Sequence, residues 1–396
     1  MRCRRPFHRA TLPPAGPVFV SLPLDDWARP VDPDEVGLLP ARRVRWAGAA
    51  DPDLVAELAG RLGAARTPAL VVGPEADDER AFPSWSSWPS GCGPRCGRPR
   101  RRRAARSPTT HPLWQGVLPP SIAGVREHLD GHDLVLVLGA AVFRYHAYRP
   151  GPWLPEGTAL VAVSSDPGSA ARAAFGDAVV GDVAAIVPQL LAALTPADRP
   201  QPAVRRQPDA PAADAAPISA DALFATMARV LPADVRLVNE STANTTQFWA
   251  HLPIRHPRSL FFPAAGGLGF GLPAAVGVAL ADPGRPVVAV LGDGAVQYGV
   301  PGLSTAVQLG LPVTFVVLRN GGYGALRSFV AQLGVADPPG LDLPGLDAVR
   351  IAEGYGMPAT RIRDGAELAA ALACTASTEG PRLLEVPVVT ETRPLG

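Results

Sequence analysis

Residues 291–329 read LGDGAVQYGVPGLSTAVQLGLPVTFVVLRNGGYGALRSF. An apolar strand ends at Gly292-Asp293-Gly294, a helix follows, and a second apolar strand stops at Asn320-Gly321-Gly322-Tyr323. A strand–helix–strand connection of this length joins parallel neighbours and brings both carboxyl ends to one edge of the sheet. Asp293 and Asn320, 27 positions apart, therefore meet there. Their side-chain oxygens suit a hard divalent cation. Mg²⁺ prefers octahedral oxygen ligation, shared between one or two protein groups, water and phosphate oxygens. The glycines beside both residues let the backbone approach a diphosphate closely. An isolated Gly-Asp-Gly is ordinarily a turn, but the flanking strands and the Asn half of the pattern argue for a ligand site.

The rest of the chain fits a globular α/β protein. Its 396 residues suffice for two or three domains. A hydrophobic fraction of 47% with 18% charged residues implies extensive buried sheet rather than disorder. The formal net charge of +1 gives no general attraction to nucleic acid or to an acidic membrane. Residues 1–10 are basic without an apolar core, and no apolar run reaches the roughly 20 residues that span a bilayer, so a cytoplasmic location is the expectation. Cysteines at 3, 92, 96 and 374 do not make a disulfide framework.

Periodicity and punctuation divide the chain into two doubly wound parallel-sheet domains. PVFVSLPL (17–24) reads as a buried strand, 51–65 as a helix, and 68–72, 133–139, 158–164 and 177–181 as strands of a Rossmann-like middle domain. The Pro-, Ala-, Gln- and Arg-rich stretch around 194–217 reads as a linker. Ser219 is then the expected N-cap of a helix over 220–230. Strands over 235–240, 286–291, 312–318 and 382–386 complete a C-terminal sheet, whose carboxyl edge carries both halves of the motif.

The Gly-Asp-Gly…Asn pattern resembles the metal and diphosphate motif of thiamine diphosphate enzymes. One departure is Arg319, which stands where that motif usually has a first asparagine. With LVNESTANTTQFW (237–249), FFPAAGGLGFGLPAAVGVAL (261–280) and VFRYHAY (142–148), the similarity narrows to the benzoylformate decarboxylase family and covers most of 15–390. The resemblance implies thiamine diphosphate and Mg²⁺ as cofactors and a C-terminal thiamine diphosphate-binding domain. It assigns Asp293, Asn320 and Gly322 to the metal. Cofactor contacts fall at Thr242, Ala243, Gly266, Gly267, Leu268, Gly292, Asp293, Gly294, Ala295, Asn320, Gly322, Tyr323 and Gly324. The Gly266 carbonyl would accept from the aminopyrimidine, and Leu268 would hold the cofactor bent. Phe262, Leu326 and Phe329 match positions lining an aromatic substrate's pocket, though each taken alone reads as core. His146 matches a proton donor, a role apt for an imidazole titrating near neutral pH; a single His after a strand is otherwise often only hydrogen-bonded to backbone. The implied reaction is decarboxylation of a small aromatic 2-oxo acid, benzoylformate to benzaldehyde.

The resemblance also implies an N-terminal pyrimidine-binding domain whose glutamate activates the cofactor. Residues 1–26 read as the remnant of that domain, 27–197 as the middle domain, 198–217 as the linker and 218–396 as the diphosphate- and Mg²⁺-binding domain. No glutamate here is assigned the activating role, which implies a complementing chain that carries that domain; by the same resemblance the chain itself is expected in a homo-oligomer. Residues 83–107, PSWSSWPSGCGPRCGRPRRRRAARS, hold seven arginines and no Leu, Ile or Val, and are expected to form no helix or strand with a buried face. In a chain without lysine this composition suits an out-of-frame reading of GC-rich DNA. The other readings are a genuine loop, a basic tail over 98–106 and a Cys92/Cys96 metal pair. Three functions stand side by side: a decarboxylase, a cofactor-binding remnant without turnover, and an acetolactate synthase-like carboligase, a class whose middle domain often binds FAD. The Phe-Arg-Tyr-His setting of His146 favours the first.

Overall fold

The computed structural model describes residues 9–30, 48, 50–86, 93–94, 96–97, 109–119, 121–143, 152–173, 175–195, 199, 205–209, 211–263, 266–336, 338–377 and 379–390. Two parallel sheets dominate them. The middle sheet runs Gly93–Pro94, Pro68–Val72, Leu134–Leu138, Ala159–Ser164, Asp177–Val180 from edge to edge. The C-terminal sheet runs Ala359–Arg361, Arg382–Pro387, Val313–Arg319, Val287–Gly292, Arg236–Glu240, Leu260–Phe261. In each, the second strand in the chain lies outside the first and the third lies inside it. The order therefore reverses between strands one and three, and a crevice at that switch is where open α/β sheets take ligands.

The strands form because their apolar runs are buried on both faces, as parallel sheets covered by helices require. Along Val287–Gly292, Val288 and Val290 pack with Phe224, Phe248 and Leu384, while Val287, Ala289 and Leu291 pack with Leu272, Ala275 and Phe315 on the other face. The middle sheet divides the same way, with Leu70, Val72, Leu136 and Leu138 on one side and Ala69, Val71, Val135 and Val137 on the other. The expected helix starts hold: the Asp51 carboxylate accepts from Asp53 N at 2.9 Å and the Ser219 hydroxyl from Ala222 N at 3.1 Å. The two units meet through Ile254, whose carbonyl accepts from Thr109 N (3.0 Å), and through Arg258 N, which donates to Asp77 (2.8 Å). The described linker residues form no helix or strand, and Arg199 pins the stretch by donating to the carbonyls of Leu62 and Gly63.

Two expectations are corrected. The stretch 17–24 is not a buried strand. It pairs with neither sheet and leads into a 3-10 turn at Leu24–Ala28, with Phe19 93% and Leu24 87% exposed. An apolar run becomes a strand only where an edge accepts its backbone bonds, and the described edges do not. Residues 83–107 do contribute to a buried helical face, because Trp85, on the turn Phe82–Ser86, is only 2% exposed and joins the preceding Phe82 in the middle core. Gly93–Pro94 and Cys96–Gly97 form short parallel pairings, while 87–92, 95 and 98–107, with Cys92 and the arginine run, lie outside the described residues. Among the described residues no helix is long and apolar enough to cross a membrane.

Candidate functional site

Strands Val287–Gly292 and Val313–Arg319 pair in parallel with Gly292 opposite Leu318, so Asp293 and the Asn320 turn emerge side by side. Asp293 is 4% exposed at the start of a short helical turn, Asp293–Val296. Its Oδ2 accepts from Asn320 N (3.1 Å) and Gly321 N (2.8 Å), and its Oδ1 from Gly294 N (2.8 Å). Burial pushes this carboxyl up from the ordinary range, against the pull of the three amides and of Arg319. The turn itself is shaped by Gly321 at φ +72°, a conformation that favours glycine, and by Asn320 Oδ1, which accepts from Gly322 N (3.1 Å). A strap over 341–343 holds it from outside: Tyr323 N donates to Leu341 O and Leu343 N to Gly321 O, both at 2.9 Å.

At Gly294 and Gly324, beside this pair, a side chain does not fit without a neighbour moving. A Cβ on Gly294 would stand 2.6 Å from the Tyr323 ring, and one on Gly324 would stand 2.9 Å from Asn320 Nδ2 and 3.0 Å from Ala243 Cβ. The second contact brings the Thr242–Asn244 turn, which follows strand Arg236–Glu240, onto the same edge. Ala295 is buried and Gly292 half-buried beside them. The hydroxyl of Tyr298 hydrogen-bonds Tyr323 and pushes its phenol up. Arg319 does not crowd Asp293: its Nε lies 3.9 Å from Glu385 Oε1, in a cluster where Arg361 Nε reaches the same oxygen at 2.5 Å.

The other sequence-identified residues are distributed less tightly. Gly266 and Gly267 are exposed, Gly266 at φ +74° and Gly267 with open space on its Cβ side, and Leu268 is half-buried. Their loop reaches the Asp293 turn through Gly269, where a Cβ would stand 2.9 Å from Tyr298 Cβ. Phe262 is buried just after strand Leu260–Phe261, whereas Leu326 (47% exposed) and the half-buried Phe329 lie one turn apart on helix Gly324–Leu333. His146 lies outside the described residues; Phe143, three positions earlier, is buried with its ring 6.3 Å from that of Phe175.

One site residue escaped the sequence reading. Glu240, the last residue of its strand, is 2% exposed, and its carboxylate accepts from Phe270 N (3.0 Å) and Gly271 N (2.7 Å). The available signal was an acid closing the buried strand Arg236–Glu240 two positions before Thr242.

Comparison with known proteins agrees with this geometry. The family model described as "Thiamine pyrophosphate enzyme, C-terminal TPP binding domain" matches residues 241–386, which include the Thr242–Asn244 turn, Asp293 and the Asn320 turn and begin one residue after Glu240. The chain is 46% identical over 393 residues to a benzoylformate decarboxylase of Pseudomonas aeruginosa, a match covering 96% of this chain and 72% of the relative. The thiamine diphosphate-dependent 4-hydroxybenzoylformate decarboxylase of Rhodococcus jostii RHA1 superposes with a TM-score of 0.91 at 40% identity, over 98% of this chain and 73% of that one. A benzoylformate decarboxylase of Polynucleobacter necessarius does so at 0.89 and 33%, with the same coverage. The chain belongs to the benzoylformate decarboxylase family of thiamine pyrophosphate enzymes.

Proposed function

We propose that the carboxyl edge of the C-terminal sheet holds the Mg²⁺–diphosphate end of thiamine diphosphate, and that the chain decarboxylates an aromatic 2-oxo acid of the benzoylformate type. The observation that carries this reading is the buried Asp293 carboxylate bonded to the amides of the Asn320–Gly321 turn, beside Gly294 and Gly324, where an added Cβ would meet Tyr323, Asn320 and Ala243. The donor set is all oxygen: one carboxylate, the Asn320 amide and the Gly322 carbonyl. Among the described residues no cluster of three or more His, Cys, Asp or Glu could hold a metal alone. A cation at Asp293 thus takes its remaining ligands from phosphate and water, as Mg²⁺ does.

When bound, thiamine diphosphate supplies the sink for the electron pair released as carbon dioxide leaves. The chain's own residues orient and enclose. Asp293, Asn320 and Gly322 fix the cation, while Thr242, Ala243, Gly292, Gly294, Ala295, Tyr323 and Gly324 line the diphosphate. The loop Gly266–Leu268 meets the cofactor's middle. Phe262, Leu326 and Phe329 give the substrate's ring an apolar wall, and His146 delivers a proton.

Among the described residues the switch of the middle sheet is bridged by hydrogen bonds between its loops, which weighs against a carboligase with a flavin there. Gly73 N donates to Leu138 O (2.7 Å) and Glu75 N to Gly139 O (3.2 Å), and the Glu75 carboxylate fills the edge with bonds to Ser164 Oγ (2.7 Å) and Ser165 N (2.6 Å). The test is Mg²⁺-dependent release of carbon dioxide and benzaldehyde from benzoylformate, assayed beside acetolactate formation from pyruvate. Benzaldehyde production abolished by Asp293→Ala supports the reading. Acetolactate as the product overturns it, and cofactor binding without turnover under any complementation reduces the chain to a binding protein.

A further inference from the structure

We propose that Glu240 is a positioning residue: its buried carboxylate fastens the Gly266–Phe270 loop to the strand end that continues into Thr242, so that the loop meets the cofactor preformed. The inference rests on the function proposed above and adds a residue to it. Helix Gly271–Ala281 starts without a cap of its own, since Phe270 at the N-cap offers no side-chain acceptor. Glu240, 31 positions before Gly271, supplies the missing acceptors from another element, one oxygen to Phe270 N and the other to Gly271 N, with the Gly269 amide pulling in the same direction. Among the described residues no basic side chain pairs with it, so the carboxylate depends on these amides for its solvation.

The fit on both sides of the loop is close. A Cβ on Gly271 would stand 2.8 Å from Glu240 Oε2 and 2.3 Å from Leu291, and on the other side Gly269 abuts Tyr298. Gly266 and Gly267 stay exposed on the free side. The loop is therefore anchored at its carboxyl half and open at its amino half, the arrangement a binding loop needs. Burial raises the Glu240 acid, so a charge here works against folding unless the bonds it makes are used. The diphosphate end of the site, built on Asp293 and the Asn320 turn, makes none of these bonds. The two ends of one cofactor are consequently held by separate devices.

That separation gives the test. Mg²⁺-dependent binding of thiamine diphosphate and of inorganic pyrophosphate is titrated against the full chain with Glu240, Glu240→Gln and Glu240→Asp. Glutamine turns an amide donor towards Gly271 N or Phe270 N and breaks one bond; aspartate keeps the charge but draws it back by one methylene. The expected result is a loss of about tenfold in thiamine diphosphate affinity for Glu240→Gln, a smaller loss for Glu240→Asp, and pyrophosphate affinity unchanged within about twofold. Amide hydrogen exchange at 269–271 should quicken while that at 294–296 does not. Equal losses for both ligands, or none, overturn the assignment, and if Glu240→Gln does not fold the Glu240→Asp titration decides alone. A parent chain that binds neither ligand overturns the proposed function and this inference together, which separates that failure from the others.

Discussion

The molecule builds the same sheet switch twice and uses it in opposite ways. In the middle sheet the described loops after Val72 and Leu138 are bonded to each other through their backbones, and the Glu75 carboxylate accepts from Ser164 and Ser165. In the C-terminal sheet the acids at the equivalent edge, Glu240 and Asp293, accept from the amides of the next loops, Phe270–Gly271 and Asn320–Gly321, and glycines let those loops pack closely against the edge. Strand order alone therefore does not make a ligand site. What decides is whether the edge carboxylates are spent on closing the crevice or on shaping the loops around it.

Substitutions at matching places sharpen that contrast. The largest effect is expected for Asp293→Ala, which removes the proposed cation ligand and the acceptor of three amides together; affinity for Mg²⁺–thiamine diphosphate should fall at least about 100-fold by calorimetry, each lost charged bond contributing about 1.5–3 kcal/mol. Its middle-sheet counterpart, Glu75→Ala, should leave cofactor affinity within about twofold and lower unfolding stability by about 1–3 kcal/mol in a urea titration. If Glu75→Ala weakens cofactor binding as Asp293→Ala does, the two edges are not functionally separate. A smaller effect is expected for the glycines. Gly294→Ala should cost about tenfold in cofactor affinity because its Cβ must displace the Tyr323 ring. Gly139→Ala, at φ +67° with Glu75 Cβ 2.6 Å from the added carbon, should cost about 2–4 kcal/mol of stability and no affinity. Smallest of all should be Arg319→Asn, which restores the residue usual in the motif. The guanidinium is already turned to Glu385, so cofactor affinity should change by less than about threefold.

Much of this was legible in the sequence because parallel strands buried on both faces leave unbroken apolar runs, and those runs end at glycines and acids whose spacing carries the motif. The strands at 68–72, 287–292 and 313–319 lie within a residue of where the pattern put them. What remained hidden depended on tertiary partners. PVFVSLPL has the composition of a strand but finds no edge to pair with. The Phe82/Trp85 turn is too short for a period to be visible, and it buries its rings only because the middle core has space for them. Glu240 and Glu75 look like ordinary acids until loops 30 and about 90 positions away fold onto them. Short-range pattern reports which residues want burial; it does not report which distant amide will donate to a buried carboxylate.

The most direct measurement is a calorimetric titration of the full chain with thiamine diphosphate, with Mg²⁺ and again with the cation chelated. The account predicts saturable binding that requires Mg²⁺ and that is lost with Asp293→Ala but kept with Glu75→Ala. Binding that is indifferent to Mg²⁺, or that survives Asp293→Ala, would contradict the claim that the C-terminal edge is where the cofactor's diphosphate is held.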